Sequence, residues 1–547
     1  MPRQPRDYPE RDKSADGISN RIEAHVLSHY PGFWTFIMSV PTLRKIANKA
    51  IINRAVMRAR TRPSPYGSMA VRGDSAMPMA GYTSWEMMID KAWFSRHLPA
   101  TTPPKEPLPT LDEVRALFVV PEGEQTLSEN SSVLFLSFAQ WFTDGFLMTD
   151  ASDTRKTHTS HHIDFNPLYG LNRAESDAVR AKSETPGQKG RLKTETDPIS
   201  GEVFAPKLYD ATGSIKPEFA VLRPPLKFEQ YLSRVPQERG DAVKQTLFAF
   251  AGDRANTTPY TAMLNTLFLR EHNRLCGLLE ADNPGWDDER VFQTARNVNI
   301  ALLIKIVVEE YINHISPYYF QISADPSVCW HAQWNKPNWI PIEFNLLYRW
   351  HSLTPDQFEI ADAPVPAKAF LYDQSLLTSS GLGPAMARAC GQRAWNMGLM
   401  NTPDFLIEVE LSSVVQGRRN ELASYNDYRA AMGFGRVSRF DQITGDPKRQ
   451  EILRRLYGDV NKVEFFVGLF AEDVAARAAV PPLIGRMVAL DAFSQALTNP
   501  LLSEHIFNAR TFGEAGWQAI QSTGSLQDVL NRNLGNDTKS YVATMTI

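Results

Sequence analysis

Cysteine is scarce: three residues among 547, Cys276, Cys329 and Cys390, far apart and odd in number. That excludes a disulfide scaffold and a cysteine-rich zinc or iron–sulfur centre, and it fits a reducing compartment. Long apolar runs are lacking as well, with none approaching the ~18 residues of a membrane-spanning helix. The first residues, Met1 to Gly17, are polar and charged, unlike a secretory leader. Neither sign of charge dominates, since 58 Lys+Arg against 61 Asp+Glu leave a net charge of −3. That balance argues against a nucleic-acid partner. GxGxxG fingerprints, phosphate loops, HExxH helices, internal repeats and βαβ alternation are all missing. What is present is 43% hydrophobic residues, ample for a large core. The expectation is a cytoplasmic protein, soluble or peripherally attached to a membrane.

Residues 1–17 read as a mobile tail. Residues 18–62 differ in character. Phe33, Trp34, Phe36, Ile37, Met38 and Val40 cluster, and Leu43, Ile46, Ala47 and Ala50 follow at helical spacing. Eight cations (Arg21, Arg44, Lys45, Lys49, Arg54, Arg58, Arg60, Arg62) face one acid, Glu23, a local charge of +7. Such a segment suits an interfacial membrane anchor, and equally a helix pair packed on the main body with a solvated basic face. After Pro63-Ser64-Pro65, residues 63–547 read as helices with long connections. Helices are expected over Ser131–Met148, Thr261–Leu279, Asp287–Ile315, Asn345–Leu353 and Gln450–Leu456, with a short hairpin across Asp197–Gly201. The fold class is mainly α, one large helical domain with few short strands.

Three segments draw attention as chemistry. In Ile342–Asp356, Tyr348 and His351 stand three apart, which on a helix puts them on one face. A histidine there can bind a haem iron, and a tyrosine one turn away can pass it an electron. The same residue types also serve plain packing. In Phe138–Phe146, Gln140 and Asp144 are spaced i, i+4 on an otherwise apolar helix, where buried polar groups need partners. Around Ala251–Pro259 and Leu269–Arg274 (LREHNR), Arg and Glu read as paired charges that tie helices together, and His272 as a structural hydrogen-bonding residue.

Taken in order, the Gln140 segment, Ala251–Arg254 (AGDR), LREHNR, Asn283–Gln293 (NPGWDDERVFQ) and Phe344–His351 (FNLLYRWH) resemble the animal haem peroxidase superfamily. They are most similar to its fatty-acid-oxygenating branch, the cyclooxygenases. Tyr82–Glu86, Val308–Tyr311, Ser494–Pro500 and Thr511–Glu514 look alike too, so the resemblance spans roughly residues 20–530. Bacterial and cyanobacterial linoleate 10S-dioxygenases, short and with a similar Phe138–Asp144 segment, are a further likeness.

This resemblance implies a haem-peroxidase-type helical domain holding haem b. His351 would be the proximal iron ligand, and Tyr348 the residue oxidised to a radical that removes an allylic hydrogen. Gln140 matches the distal glutamine and Arg254 a distal arginine. Arg58 matches the carboxylate-binding arginine at the channel mouth, Tyr318 its tyrosine partner, and Tyr311 a channel tyrosine supporting the radical residue. It favours residues 18–62 as a membrane-surface anchor. One departure concerns proton transfer: Asp144 stands where the family carries a distal histidine. O–O cleavage needs a group that takes and returns a proton, and an aspartate can serve when burial raises its pKa. Ungapped counting puts Ala492 where prostaglandin-forming enzymes have an acetylatable serine, near Ser494. At Gly145 the α-dioxygenases would bind calcium through an aspartate, so no calcium is predicted.

The expected activity is therefore haem-dependent dioxygenation, with O2, of an unsaturated fatty acid of the linoleate or oleate type. The alternatives are a haem peroxidase of small reductants and a peroxidase-fold binding protein without chemistry. Oligomeric state stays open, a homodimer included.

Overall fold

The computed structural model describes residues 8–58, 92–101, 107–121, 123–198, 200–535, 537 and 539–547, with only the backbone of Arg58 among them. Three consecutive helices come first: α1 (Ile18–Ser28), α2 (Pro31–Ser39) and α3 (Pro41–Arg58). Pro31 and Pro41 open their helices, where a missing N–H costs nothing. The trio is docked on the body through side-chain amides. Asn48 and Asn53 donate to the carbonyls of Ser323 and Val328, each at 3.0 Å, and Trp334 Nε1 donates to Asn53 Oδ1 at 2.7 Å.

The stretch expected as a mobile tail divides at residue 8. Residues 1–7 lie outside the described set, whereas 8–17 are pinned in place, contrary to expectation. Arg11 pairs with Asp16 at 2.7 Å, and Arg429 joins Asp16 (2.8 Å) and Glu472 (2.7 Å) in a fully buried network. Charges removed from water persist only when paired, so these contacts hold the segment to the body.

The centre of the molecule is helical. α5 (Pro259–Asp282) packs between α4 (Val133–Asp144) and α6 (Asp288–Ile306). α5 starts where sequence chemistry dictates: Thr258 and Thr261 form a capping box, and Pro259 takes a first-turn position. α6 starts on Asp287, whose side chain accepts from the Arg290 N–H. It then widens into a π turn, Val307–Tyr311, before ending in Ile312–Ile315, so the helix expected over Asp287–Ile315 is present with a bulge inside it. Contrary to the expectation that no apolar run has that length, this one is long and apolar enough to cross a membrane, and 78% of its most apolar window is buried within the protein, as in a core helix.

Among the described residues the strands form two-stranded antiparallel ribbons only. Leu127–Ser132 pairs with Arg393–Trp395, and Gln357–Phe358 with Val365–Pro366. The expected hairpin is there, with Glu195–Thr196 against Val203–Phe204. The core around α4 is aromatic: Phe135, Phe138, Trp141 and Tyr311 are each at most 1% exposed, Phe135 and Phe138 meeting Tyr311 of the π turn and Trp141 stacking on Phe268 of α5. Each such side chain contributes about 1.5–3 kcal/mol of burial, and together they fix how α4 faces the site.

Candidate active site

The segment carrying Tyr348 and His351 is not the continuous helix that spacing suggested. A single α turn, α7 (Phe344–Leu347), ends at Tyr348, and a separate 3-10 turn covers His351–Leu353. Tertiary packing overrides propensity here. Trp350 donates its indole N–H to the Leu347 carbonyl at 2.5 Å, and its ring stacks on Tyr348 (centroids 5.0 Å) and Phe135 (5.5 Å). Ahead of the break, the buried Glu343 carboxylate accepts from the His97 N–H at 3.1 Å and the Tyr428 hydroxyl at 2.7 Å, anchoring α7.

Tyr348 thus lies in an aromatic box of Phe146, Phe344 and Trp350. Its hydroxyl is buried and faces that of Tyr311, which is buried too. Burial, then the charge of Asp491, drives the Tyr348 phenol pKa far above its ordinary value. Tyr311 is shifted the same way, by burial and then by the Tyr348 phenol. At neutral pH both keep their protons. The expected Tyr311–Tyr348 pair is therefore brought together.

His351 presents Nδ1 to Glu410 Oε2 at 3.2 Å, which leaves Nε2 as the nitrogen turned away from the carboxylate. Glu410 comes from α8 (Ile407–Arg419), 3% exposed, and its other oxygen accepts from the Thr402 hydroxyl at 3.1 Å. Nothing in the sequence marks it: its partner is 59 positions away, and a lone glutamate on a helix is common.

On the other side, Gln140 and Asp144 occupy one face of α4, as their spacing predicted. Arg254 Nη1 donates to Asp144 Oδ1 at 3.1 Å and to the Leu147 carbonyl at 2.8 Å. Gly252 makes that reach possible, because a Cβ there would stand 2.7 Å from the Pro167 Cα. Asp144 is 16% exposed, and desolvation outweighs the attraction of Arg254, so its pKa rises to about 6.

Around these groups cations face one another. Arg349 is lowered by burial and by Arg254, and Lys227 by burial and by Arg349, Arg254 and Arg234. The Nε atoms of Arg254 and Arg349 and the Nε2 of Gln416 are buried without partners. Mutually repelling cations with orphaned donors beside an imidazole fit a ligand that combines a metal with carboxylates. Haem is such a ligand. His351 Nε2 would take its iron, and Arg254, Arg349 and Lys227 would face its propionates; Arg349 and Lys227 gave no signal in the sequence.

Tyr318 lines a cavity of about 470 Å³ between α1, α3, the end of α6 and α9 (Pro482–Leu497). Ile51, Ala55, Ile312, Ile315, Val488 and Phe493 supply its apolar wall. α9 is a shared wall: Val488, Ala489 and Phe493 meet the cavity, and Asp491 lies near Tyr348. The Arg58 side chain and Tyr82–Glu86 lie outside the described residues. Ser494 donates to the Leu490 carbonyl at 2.8 Å, a structural role.

The remaining expectations concern paired charges and His272. His272 is buried, accepts from the Tyr169 hydroxyl at 2.9 Å, and donates to the Gly190 carbonyl at 3.0 Å. Its pKa falls to about 4 through burial, as befits a structural residue. Glu271 joins Arg274 (2.8 Å) and Arg532 (2.6 Å), so this motif does tie helices together. His158 pairs with Asp150 at 3.1 Å and His161 accepts from the Ile340 N–H at 3.2 Å.

The profile of the family described as animal haem peroxidase matches residues 120–544. Prostaglandin G/H synthase 2 of Equus caballus is 29% identical over 523 residues, covering 93% of this chain and 80% of the relative. Prostaglandin G/H synthase 1 of Mus musculus is 28% identical with the same coverage. Among solved structures, the fatty acid alpha-dioxygenase of Oryza sativa superposes with a TM-score of 0.66 at 16% identity, covering 97% of this chain and 99% of that one. Peroxidase A from Dictyostelium discoideum gives 0.65 at 18% identity, with 83% and 95% covered. At these identities the structural likeness speaks for the fold.

Proposed function

This chain belongs to the animal haem peroxidase family, and from that premise we propose that it is a haem-dependent dioxygenase of unsaturated fatty acids. The observation that carries the reading is Tyr348: a buried phenol in an aromatic box beside Tyr311, three residues before His351 and one helix away from an apolar cavity. Bound haem, oxidised by a hydroperoxide, would supply the one-electron oxidant that Tyr348 meets.

Tyr348 then loses a hydrogen atom and becomes a phenoxyl radical. Its desolvated phenol holds its proton until that moment, so electron and proton leave together. The radical takes an allylic hydrogen from the substrate, which breaks a C–H bond and re-forms the phenol O–H. O2 adds to the delocalised carbon radical, and the peroxyl product takes a hydrogen atom back from Tyr348, restoring the radical. Asp144, held at Oδ1 by Arg254, moves the peroxide proton during the first activation. That carboxylate serves an occasional start better than rapid peroxidase turnover.

The cavity's volume falls within the roughly 300–1,000 Å³ of small-molecule sites, and its apolar wall suits an acyl chain. Arg58 binds the substrate carboxylate with Tyr318, by likeness of position to the cyclooxygenases. The protein sits peripherally on the cytoplasmic face of a membrane. Ile22, Phe33, Phe36 and Ile46, each 52–61% exposed on α1–α3, enter the lipid, while Arg21, Arg44, Lys45 and Lys49 meet anionic headgroups.

Oxygen-electrode assays on the haem-reconstituted protein, over saturated, mono- and polyunsaturated acids, test the reading. Uptake confined to linoleate- and oleate-type acids, with a hydroperoxide product, is expected. Uptake with saturated acids would move the chemistry away from allylic hydrogen, and peroxide-driven oxidation of small phenols alone would favour a peroxidase.

A further inference from the structure

His351 and Glu410 approach each other across two segments that share nothing in sequence. His351 opens a 3-10 turn, and Glu410 sits in the first turn of α8. Nδ1 and Oε2 are 3.2 Å apart, within ion-pair reach though not aligned as a hydrogen bond, and neither atom has another partner. Oε1 is already fixed by the Thr402 hydroxyl, and Thr402 is itself wholly buried, its N–H on the Phe118 carbonyl at 3.1 Å. A carboxylate this deep needs donors, and the imidazole N–H is the one left for Oε2.

We infer that Glu410 is the positioning residue of the proximal imidazole: it takes the Nδ1 proton in a hydrogen bond, fixes the tautomer that offers the Nε2 lone pair, and pushes negative charge onto the ring. The inference rests on the reading of His351 as the axial ligand. Carboxylate–imidazole pairs raise ligand basicity, and a more basic axial ligand favours the ferric over the ferrous state. Glu410 touches neither substrate nor haem, so its effect travels through His351. Thr402 acts as a brake on it: by donating to Oε1, the hydroxyl withdraws charge that Oε2 would otherwise give the ring. The two neighbours thus set the strength of the same bond in opposite directions, which a merely structural ion pair would not do.

The test uses full-length, haem-reconstituted protein and reads the iron rather than turnover. Glu410→Gln keeps shape and an acceptor but removes the charge. It should move the ferric/ferrous midpoint potential positive and lower the iron–imidazole stretching frequency of the ferrous form. Thr402→Val should move both the other way. Glu410→Gln should also slow hydroperoxide-dependent activation roughly 10–100-fold, the usual effect of losing such a partner. Unchanged potential and stretching frequency in both variants would overturn the inference. Should Glu410→Gln fail to fold, Thr402→Val decides alone by the sign of its shift. His351→Ala separates the underlying premise: if that variant keeps the native haem spectrum, His351 is not the ligand and the premise fails. If it loses the spectrum while the other two variants behave as wild type, only the role of Glu410 falls.

Discussion

Arg254 donates to Asp144 at 3.1 Å, yet the carboxylate's pKa still rises, to about 6, because desolvation outweighs the guanidinium. Below that value Asp144 is neutral and cannot accept a proton; above it the general-base form accumulates. The lag before oxygen uptake should therefore shorten as pH rises through about 6, and Asp144→Asn should lengthen the lag and remove the inflection. A lag that ignores pH in the native protein would contradict this. In stability the sign reverses: the fold favours the protonated form, so this group's contribution, complete below pH 3.8, is lost as pH rises through about 6.

The buried hydroxyls of Tyr311 and Tyr348 face each other. Tyr311→Phe removes one side of that pair and should cost about 0.5–1.5 kcal/mol. Oxygen uptake should persist in it. Thermal unfolding together with an oxygen electrode checks both statements; an unchanged or raised stability would show that the two hydroxyls do not support each other.

Arg429 is fully buried between Glu472 and Asp16, at 2.7 and 2.8 Å. Arg429→Met leaves Glu472 buried without a cation, while Asp16 keeps Arg11, and should cost about 3–5 kcal/mol in urea unfolding. A loss under about 1 kcal/mol would mean that residues 8–17 are held by something else.

Phe33 and Phe36 are 52% and 59% exposed on α2. Phe33→Ser with Phe36→Ser should weaken sedimentation with anionic vesicles without changing the melting temperature. Salt should weaken binding of the parent protein, since the cations of α3 contribute. Equal vesicle binding by the double variant would remove the anchor.

Where partners are close in sequence, the chain was readable. The i, i+4 spacing of Gln140 and Asp144 predicted one face of α4, and the helix expected over Thr261–Leu279 lies within α5. The likeness around Tyr348 and His351 pointed to the candidate site, but local spacing gave them the wrong backbone. Trp350 caps Leu347 and stacks on Phe135 from another helix, and no local pattern reports that contact. Glu410, Arg349 and Lys227 were invisible for the same reason: their meaning lies in neighbours brought together by the fold. Residues 8–17 misled because polar composition looks like a tail, whereas Asp16, paired with Arg11, also meets Arg429 more than 400 positions away.

The most direct measurement compares haem-reconstituted wild type and Tyr348→Phe for oxygen uptake with linoleate, alongside their haem absorption spectra. The account predicts an unchanged spectrum and essentially no uptake in the variant. Uptake at the wild-type rate, with haem equally bound, would contradict it.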